Sequence, residues 1–113
     1  MYNQGDVLLV PVPFTDLSAV KKRPVLVVSN DHYNISHEDA VAVAITSNTE
    51  QPGIPLSTKD LVTGTLPKPS IIRADKIYTL SQAIVVKKIG NVTDAILCSI
   101  RVAIMGLISE GSN

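Results

Sequence analysis

Residues 5–30, GDVLLVPVPFTDLSAVKKRPVLVVSN, hold the reading of this chain. Residues 6–10 are Val- and Leu-rich and predict a strand that ends at Pro11 and Pro13. Residues 25–29 are again β-branched and predict a second strand that starts behind Pro24. The segment between them, residues 11–23, has no sustained helical or strand periodicity and reads as a loop. It carries Thr15, Asp16, Ser18, Lys21, Lys22 and Arg23. Two buried strands would hold this basic, hydroxyl-bearing loop at the surface, a suitable site for an anionic ligand.

Working outward, NDHYNISHED after the second strand is polar and turn-forming, with room for a short helical turn. Residues 40–46, AVAVAIT, predict a third strand, apolar almost throughout and therefore buried on both faces. Thr46, Ser47, Asn48 and Thr49 make a hydroxyl-rich exit, followed by a turn at Gln51-Pro52-Gly53. Residues 54–57 form a short strand that Pro55 assigns to an edge, and residues 58–69 read as a loop. SIIRA at residues 70–74 is a further strand, followed by a short extended piece at 77–80. AIVVK at 83–87 is predicted as the last strand. Gly90 and Asn91 then break the pattern. Asn91 is the expected N-cap, with Asp94 three residues on, and residues 92–109 read as a helix.

That helix is apolar nearly all round, through Ile96, Leu97, Ile100, Val102, Ala103, Ile104, Leu107 and Ile108. It has more apolar surface than one small sheet can cover, and a symmetric dimer would supply the rest. Cys98, the only cysteine, sits in this apolar pattern and is expected to be a buried structural thiol. At 113 residues the chain is expected to be one domain, residues 1–113. The fold expected is mainly β with a C-terminal α-helix, built as a small, strongly bent barrel or two packed sheets.

Composition narrows the function. Ten basic and ten acidic residues cancel, so affinity for a polyanion must come from a local patch. His32 and His37 stand apart and read as surface polar residues, and no His/Cys cluster has zinc spacing. No cofactor and no metal site are expected. No segment reads as a signal peptide or a membrane span, so a cytoplasmic protein without membrane contact is the expectation.

The opening stretch resembles the N-terminal signature of the MazF/PemK toxins: a Gly-Asp pair, an apolar strand, a Pro-Phe-Thr-Asp corner, then Lys-Arg-Pro and a second apolar strand. AVAVAITSN is similar to that family's third strand ending in Thr, SIIRADKIYTL to its apolar–Arg–x–Asp–x–Ile segment, and KKIGNVTDAI to its close. The resemblance implies a homodimeric Src-homology-3-like or CcdB-like barrel. It implies a sequence-specific, metal-independent endoribonuclease toxin that cleaves single-stranded RNA through the substrate's own 2′-hydroxyl. Its partners would be a cognate antitoxin and a second copy of the chain, with operator DNA contacted only through the antitoxin complex.

The resemblance implies Arg23, Thr46, Arg73 and Asp75 as catalytic residues, Arg23 and Thr46 foremost. Thr15, Lys21, Lys22, Ser47, Asn48 and Lys76 are the expected RNA contacts. Attack by a 2′-hydroxyl on phosphorus needs a proton acceptor, a donor to the departing 5′-oxygen and hydrogen bonds to the phosphoryl oxygens. A guanidinium stays protonated, so Arg23 suits a cationic clamp better than a base. By residue type alone, Arg23 equally anchors a loop, Thr46 is equally a strand-end hydroxyl, and Arg73 with Asp75 is equally a local ion pair. Lys76 and Tyr78 stand where many relatives carry Gln and Arg, which leaves cleavage specificity outside the resemblance. The alternative is a non-catalytic or weakly active module on the same barrel, such as a CcdB-like inhibitor of a topoisomerase.

Overall fold

A computed structural model describes residues 1–13 and 20–111. Seven strands and two helices follow in the order β1 (Asp6–Pro13), β2 (Val20–Val27), α1 (Asp31–Ser36), β3 (Asp39–Thr46), β4 (Ile54–Leu56), β5 (Leu61–Gly64), β6 (Ser70–Ser81), β7 (Lys87–Val92) and α2 (Asp94–Ile108). All strand pairs are antiparallel, in one sheet ordered β4-β6-β3-β2-β1-β7-β5. The mainly β architecture with a closing helix is the one the sequence predicts.

Side-chain alternation sets the two faces. Val7, Leu26, Val43 and Ile45 point to one face, where Ile96, Leu97 and Ile100 of α2 cover them. Leu8, Val10, Val25, Val27, Ala40 and Ala42 point to the other and form a smaller core with Tyr2, Leu80 and Val85. Leu56 on edge strand β4 and Leu61 on edge strand β5 both reach the first core, although they lie at opposite ends of the sheet order. The sheet is therefore curled into a half-barrel around α2.

Several expectations shift. β1 runs on through Pro11 and Pro13, which pair with Lys22 and Val20. β7 accompanies β1 only over Asp6–Leu9, so beyond that point β1 has one neighbour and a missing N–H can face outward at no cost. Lys21, Lys22 and Arg23 accordingly lie in β2 and not in a loop. The final strand is β7, not residues 83–87: a 3₁₀ turn, Gln82–Ile84, occupies that place, and Val86 N–H donates to the Leu9 carbonyl at 2.8 Å as the chain turns in. Leu61–Gly64, read as loop, is a strand because it forms an edge beside β7. Asn91 belongs to β7, paired to Asp6 and Thr63, so the helix N-cap is Thr93, whose side chain accepts from Ile96 N–H. Cys98 is exposed, because α2 buries only the stripe through Ile96, Leu97 and Ile100 and Cys98 faces away from it.

Gly5 and Asp6 have structural work. Gly5 has φ +92°, and Leu97 packs 3.3 Å from where a Cβ would stand. Asp6 is buried, accepts from Asn3 N–H at 2.8 Å and pairs with Lys88 Nζ at 3.1 Å, which binds β1 to β7. A second polar clasp holds α1. Asn34, wholly buried, accepts from the Ser29 hydroxyl and donates to the Ser29 carbonyl at 3.1 Å. The Gln82 amide donates to the carbonyls of Asn34, His37 and Asp39. Asn34→Ala removes the side-chain donor to the Ser29 carbonyl and one acceptor of the Ser29 hydroxyl, which keeps its contacts to Val41, and is expected to cost about 1–3 kcal/mol. Urea unfolding with an unchanged m-value measures it.

Candidate functional site

The site begins where the central sheet splits. β2 and β3 pair from Val27↔Ala42 up to Val25↔Ala44 and no further. Beyond that point β2 continues with β1, as Arg23↔Val10, and β3 continues with β6, as Thr46↔Ile71. Pro24, which has no N–H to give a ladder, sits where the pairing stops. The fork opens a cleft of about 190 Å³ lined by Arg23, Val25, Ala44, Thr46 and Tyr78, among others. Arg23 and Thr46 thus come from separate strands to one groove. Thr46 Oγ1 accepts from Asn48 N–H at 3.1 Å, which orients the hydroxyl and leaves its proton to donate elsewhere.

Arg73 and Asp75 stand beside this cleft. Arg73 is the cross-strand partner of Ala44, which lines it, so their Cα atoms are about 5 Å apart. Val43 pairs with Ile77 while Ala44 pairs with Arg73, so Ala74, Asp75 and Lys76 form a bulge in β6. The bulge turns Asp75 back onto Arg73 in a bidentate contact, Nε–Oδ1 3.1 Å and Nη2–Oδ2 2.9 Å. Gln51 Oε1 accepts from Arg73 Nη1. Gln51 reaches this position over the turn at Gly53, whose φ is +152° and where a Cβ would run into the Ile72 carbonyl oxygen.

The hydrogen bonds from Arg73 hold the Asp75 carboxyl below the usual carboxylate range, and the same contact raises Arg73 further above its already basic value. A depressed folded-state pKa contributes stability above the unfolded value, about 3.9 for Asp, and that contribution disappears as pH falls through the lowered pKa. Asp75→Asn is therefore expected to flatten the acid limb of stability below about pH 4 and leave the alkaline limb unchanged. Thermal melts across an acid pH series check this.

The remaining expected contacts divide. Lys22 and Ser47 line a second cleft of about 250 Å³, which shares Arg23, Pro24 and Ile45 with the first. Lys21 is exposed on β2, and Lys76 is exposed in the β6 bulge and lines neither cleft. The Asn48 side chain accepts from Glu50 N–H at 3.1 Å, so it helps build the turn after β3. Thr15, with Asp16 and Ser18, lies outside the described residues.

Three lining or supporting residues escaped the sequence reading. Tyr78 is one: alternation continued from Ile72 puts it on the Val43 and Ile45 face, and only the bulge at residues 74–76 turns it to the Ala42 face. Lys68 sat in a segment read as loop, and Gln51 in a turn, with no local signal for either. His37 stacks on Tyr33, with ring centroids 3.9 Å apart, away from the fork. Among the described residues no group of three or more His, Cys, Asp or Glu is placed to hold a metal ion, and no helix is long and apolar enough to cross a membrane.

Among the described residues the walls of the two clefts carry Arg23, Lys22 and Lys68, hydroxyls from Thr46 and Ser47, and no carboxylate. Fold and site together define a small curled β half-barrel with a cationic, hydroxyl-bearing fork suited to a phosphate-bearing ligand. The chain belongs to the PemK-like, MazF-like toxins of type II toxin–antitoxin systems, whose family profile matches residues 3–108. It is 34% identical over 79 residues to Endoribonuclease MazF2 of Mycobacterium bovis, across 68% of this chain and 69% of that protein. The same figures hold for Endoribonuclease MazF6 of Mycobacterium tuberculosis. The fold matches a mycobacterial endoribonuclease in complex with its cognate antitoxin at a TM-score of 0.74 and 23% identity, covering 99% of this chain and 97% of that one. It also matches the MazE–MazF structure of Deinococcus radiodurans at 0.76 and 16%, covering 97% of both chains. At those identities the two structures speak for the fold alone.

Proposed function

We propose that this chain is the endoribonuclease toxin of a toxin–antitoxin pair and cleaves single-stranded RNA at particular sequences in the cytoplasm. One observation carries the reading: Arg23 and Thr46, on different strands, line one groove at the β2–β3 fork. The substrate's 2′-hydroxyl gives up its proton as its oxygen attacks the adjacent phosphorus, the O2′–P bond forms, the P–O5′ bond breaks, and the departing 5′-oxygen takes up a proton, so no proton is gained or lost overall. A cyclic phosphate and a 5′-hydroxyl result, so the protein has no need to supply a nucleophile.

Charge builds on the phosphoryl oxygens during that displacement. Arg23 clamps it with a planar, permanently protonated fork, and Thr46 donates a hydrogen bond to one oxygen. Arg73, its charge balanced by Asp75, offers its remaining N–H donors beside the cleft, and Asp75 and Gln51 fix the orientation of its guanidinium. Cationic arginines at this position support cleavage without a metal. Lys21, Lys22 and Lys76, with Thr15, Ser47 and Asn48, track the RNA backbone.

The acting unit is a homodimer. Val102, Met105, Leu107 and Ile108 on α2 are each more than half exposed, which is the surface a second copy would cover. A cognate antitoxin neutralises the dimer, and operator DNA is met only through that complex.

The test incubates the purified protein with a long single-stranded RNA in the presence of a chelator. Cyclic-phosphate ends are expected, and Thr46→Ala is expected to slow cleavage about 10- to 100-fold, the scale of one hydrogen bond to a charged group. Intact RNA with growth arrest retained would return the chain to the topoisomerase-inhibitor reading.

A further inference from the structure

The second cleft is not needed by the phosphate chemistry, yet it is built with care. Its floor is apolar and comes from separate elements: Leu9 on β1, Ile45 on β3, Ile89 on β7 and Leu66 in the segment before β6. Its rim is cationic, from Lys22 and Lys68. The segment carrying Leu66 and Lys68 is pinned at both residues. Thr58 Oγ1 accepts from Leu66 N–H at 2.9 Å and donates to the Leu66 carbonyl at 3.2 Å. The hydroxyl of Ser70, itself buried, donates to the Lys68 carbonyl at 3.1 Å. A preformed apolar slot with a cationic edge on a pinned backbone suits one flat, polar-edged ring. At about 250 Å³ it is smaller than the ~300–1,000 Å³ of sites for drug-sized ligands.

Its position says which ring. Arg23, Pro24 and Ile45 form a wall common to both clefts, so a strand whose phosphate sits at Arg23 brings its neighbouring base to the mouth of the second cleft. We propose, resting on the nuclease reading above, that this cleft seats the base of a nucleotide flanking the scissile phosphate and that Lys68 determines its identity. An ammonium offers three donors and no acceptor. It favours a base edge that presents acceptors, O6 and N7 of guanine or O4 of uracil, over the amino groups of adenine and cytosine. Among the described residues no carboxylate lines the cleft to read those amino groups.

The experiment maps cleavage ends on a randomised single-stranded RNA pool. The unaltered protein is expected to favour a keto base at one position adjacent to the cut. Lys68→Ala, a change at an exposed side chain, is expected to erase that preference by about tenfold while preferences elsewhere persist. Lys68→Glu is expected to turn it toward adenine or cytosine, because a carboxylate accepts where an ammonium donates. Identical preferences at every position overturn the proposal. So does a slowing uniform across all sequences, which marks a backbone contact. Unchanged cutting with neutralisation by a co-expressed antitoxin lost would assign the cleft to the antitoxin and also overturn it. An unaltered protein that cuts no RNA removes the nuclease reading itself, a different failure from these.

Discussion

Arg23→Ala is expected to lower the RNA-cleavage rate about 10³-fold, the upper scale for removing one preorganised donor to a developing oxyanion. Growth arrest on expression should vanish with it. A large effect is expected because Arg23, the proposed phosphate clamp, lines the groove where β2 and β3 have parted, its position set by the continuing Arg23↔Val10 pair. Arg23→Lys keeps the charge and loses the planar fork, so an intermediate rate is expected. The fold should survive either change, since β2 remains held by backbone pairs to β1 on both sides of this residue. Cleavage by Arg23→Ala within a few-fold of the unaltered protein would end the assignment.

The second large effect is on assembly. Val102 and Met105 lie three residues apart on the outer face of α2 and are 68% and 62% exposed. Covering each with a second copy contributes about 1.5–3 kcal/mol, so a Val102→Glu, Met105→Glu double variant is expected to raise the dimer dissociation constant about 10²- to 10⁴-fold. Light scattering should then show a monomer, with RNA cleavage reduced alongside. The monomer should keep its fold, because the residues that seat α2 on the sheet are Ile96, Leu97 and Ile100. A monomeric unaltered protein that cleaves RNA at full rate would remove the dimer from the mechanism.

Much of this arrangement was legible in the residues. β3 declared itself because an apolar run in the centre of the sheet is buried on both faces, Ala40 and Ala42 on one and Val43 and Ile45 on the other. α2 declared itself by composition and length. Its cap did not: Asn91 is as good an N-cap residue as Thr93, and its strand pairing to Asp6 and Thr63 makes the difference. β1 was cut short at its prolines because local propensity cannot know that the strand has lost a neighbour there. Cys98 reads as buried yet is exposed for a related reason. A helix apolar on all sides does not reveal which stripe its own sheet will cover.

Amino-acid type and order by themselves determined the strand-rich class and the closing helix; Arg23, Thr46, Arg73 and Asp75 stand out as a set only through the family resemblance. Tertiary structure alone decided that the first two share a groove, that a three-residue bulge folds Asp75 onto Arg73, and that Gln51, Tyr78 and Lys68 join them from distant segments. The reason is physical. Hydrophobic periodicity is a local property of the chain, whereas a fork between two strands exists only where each finds a different partner on its other side.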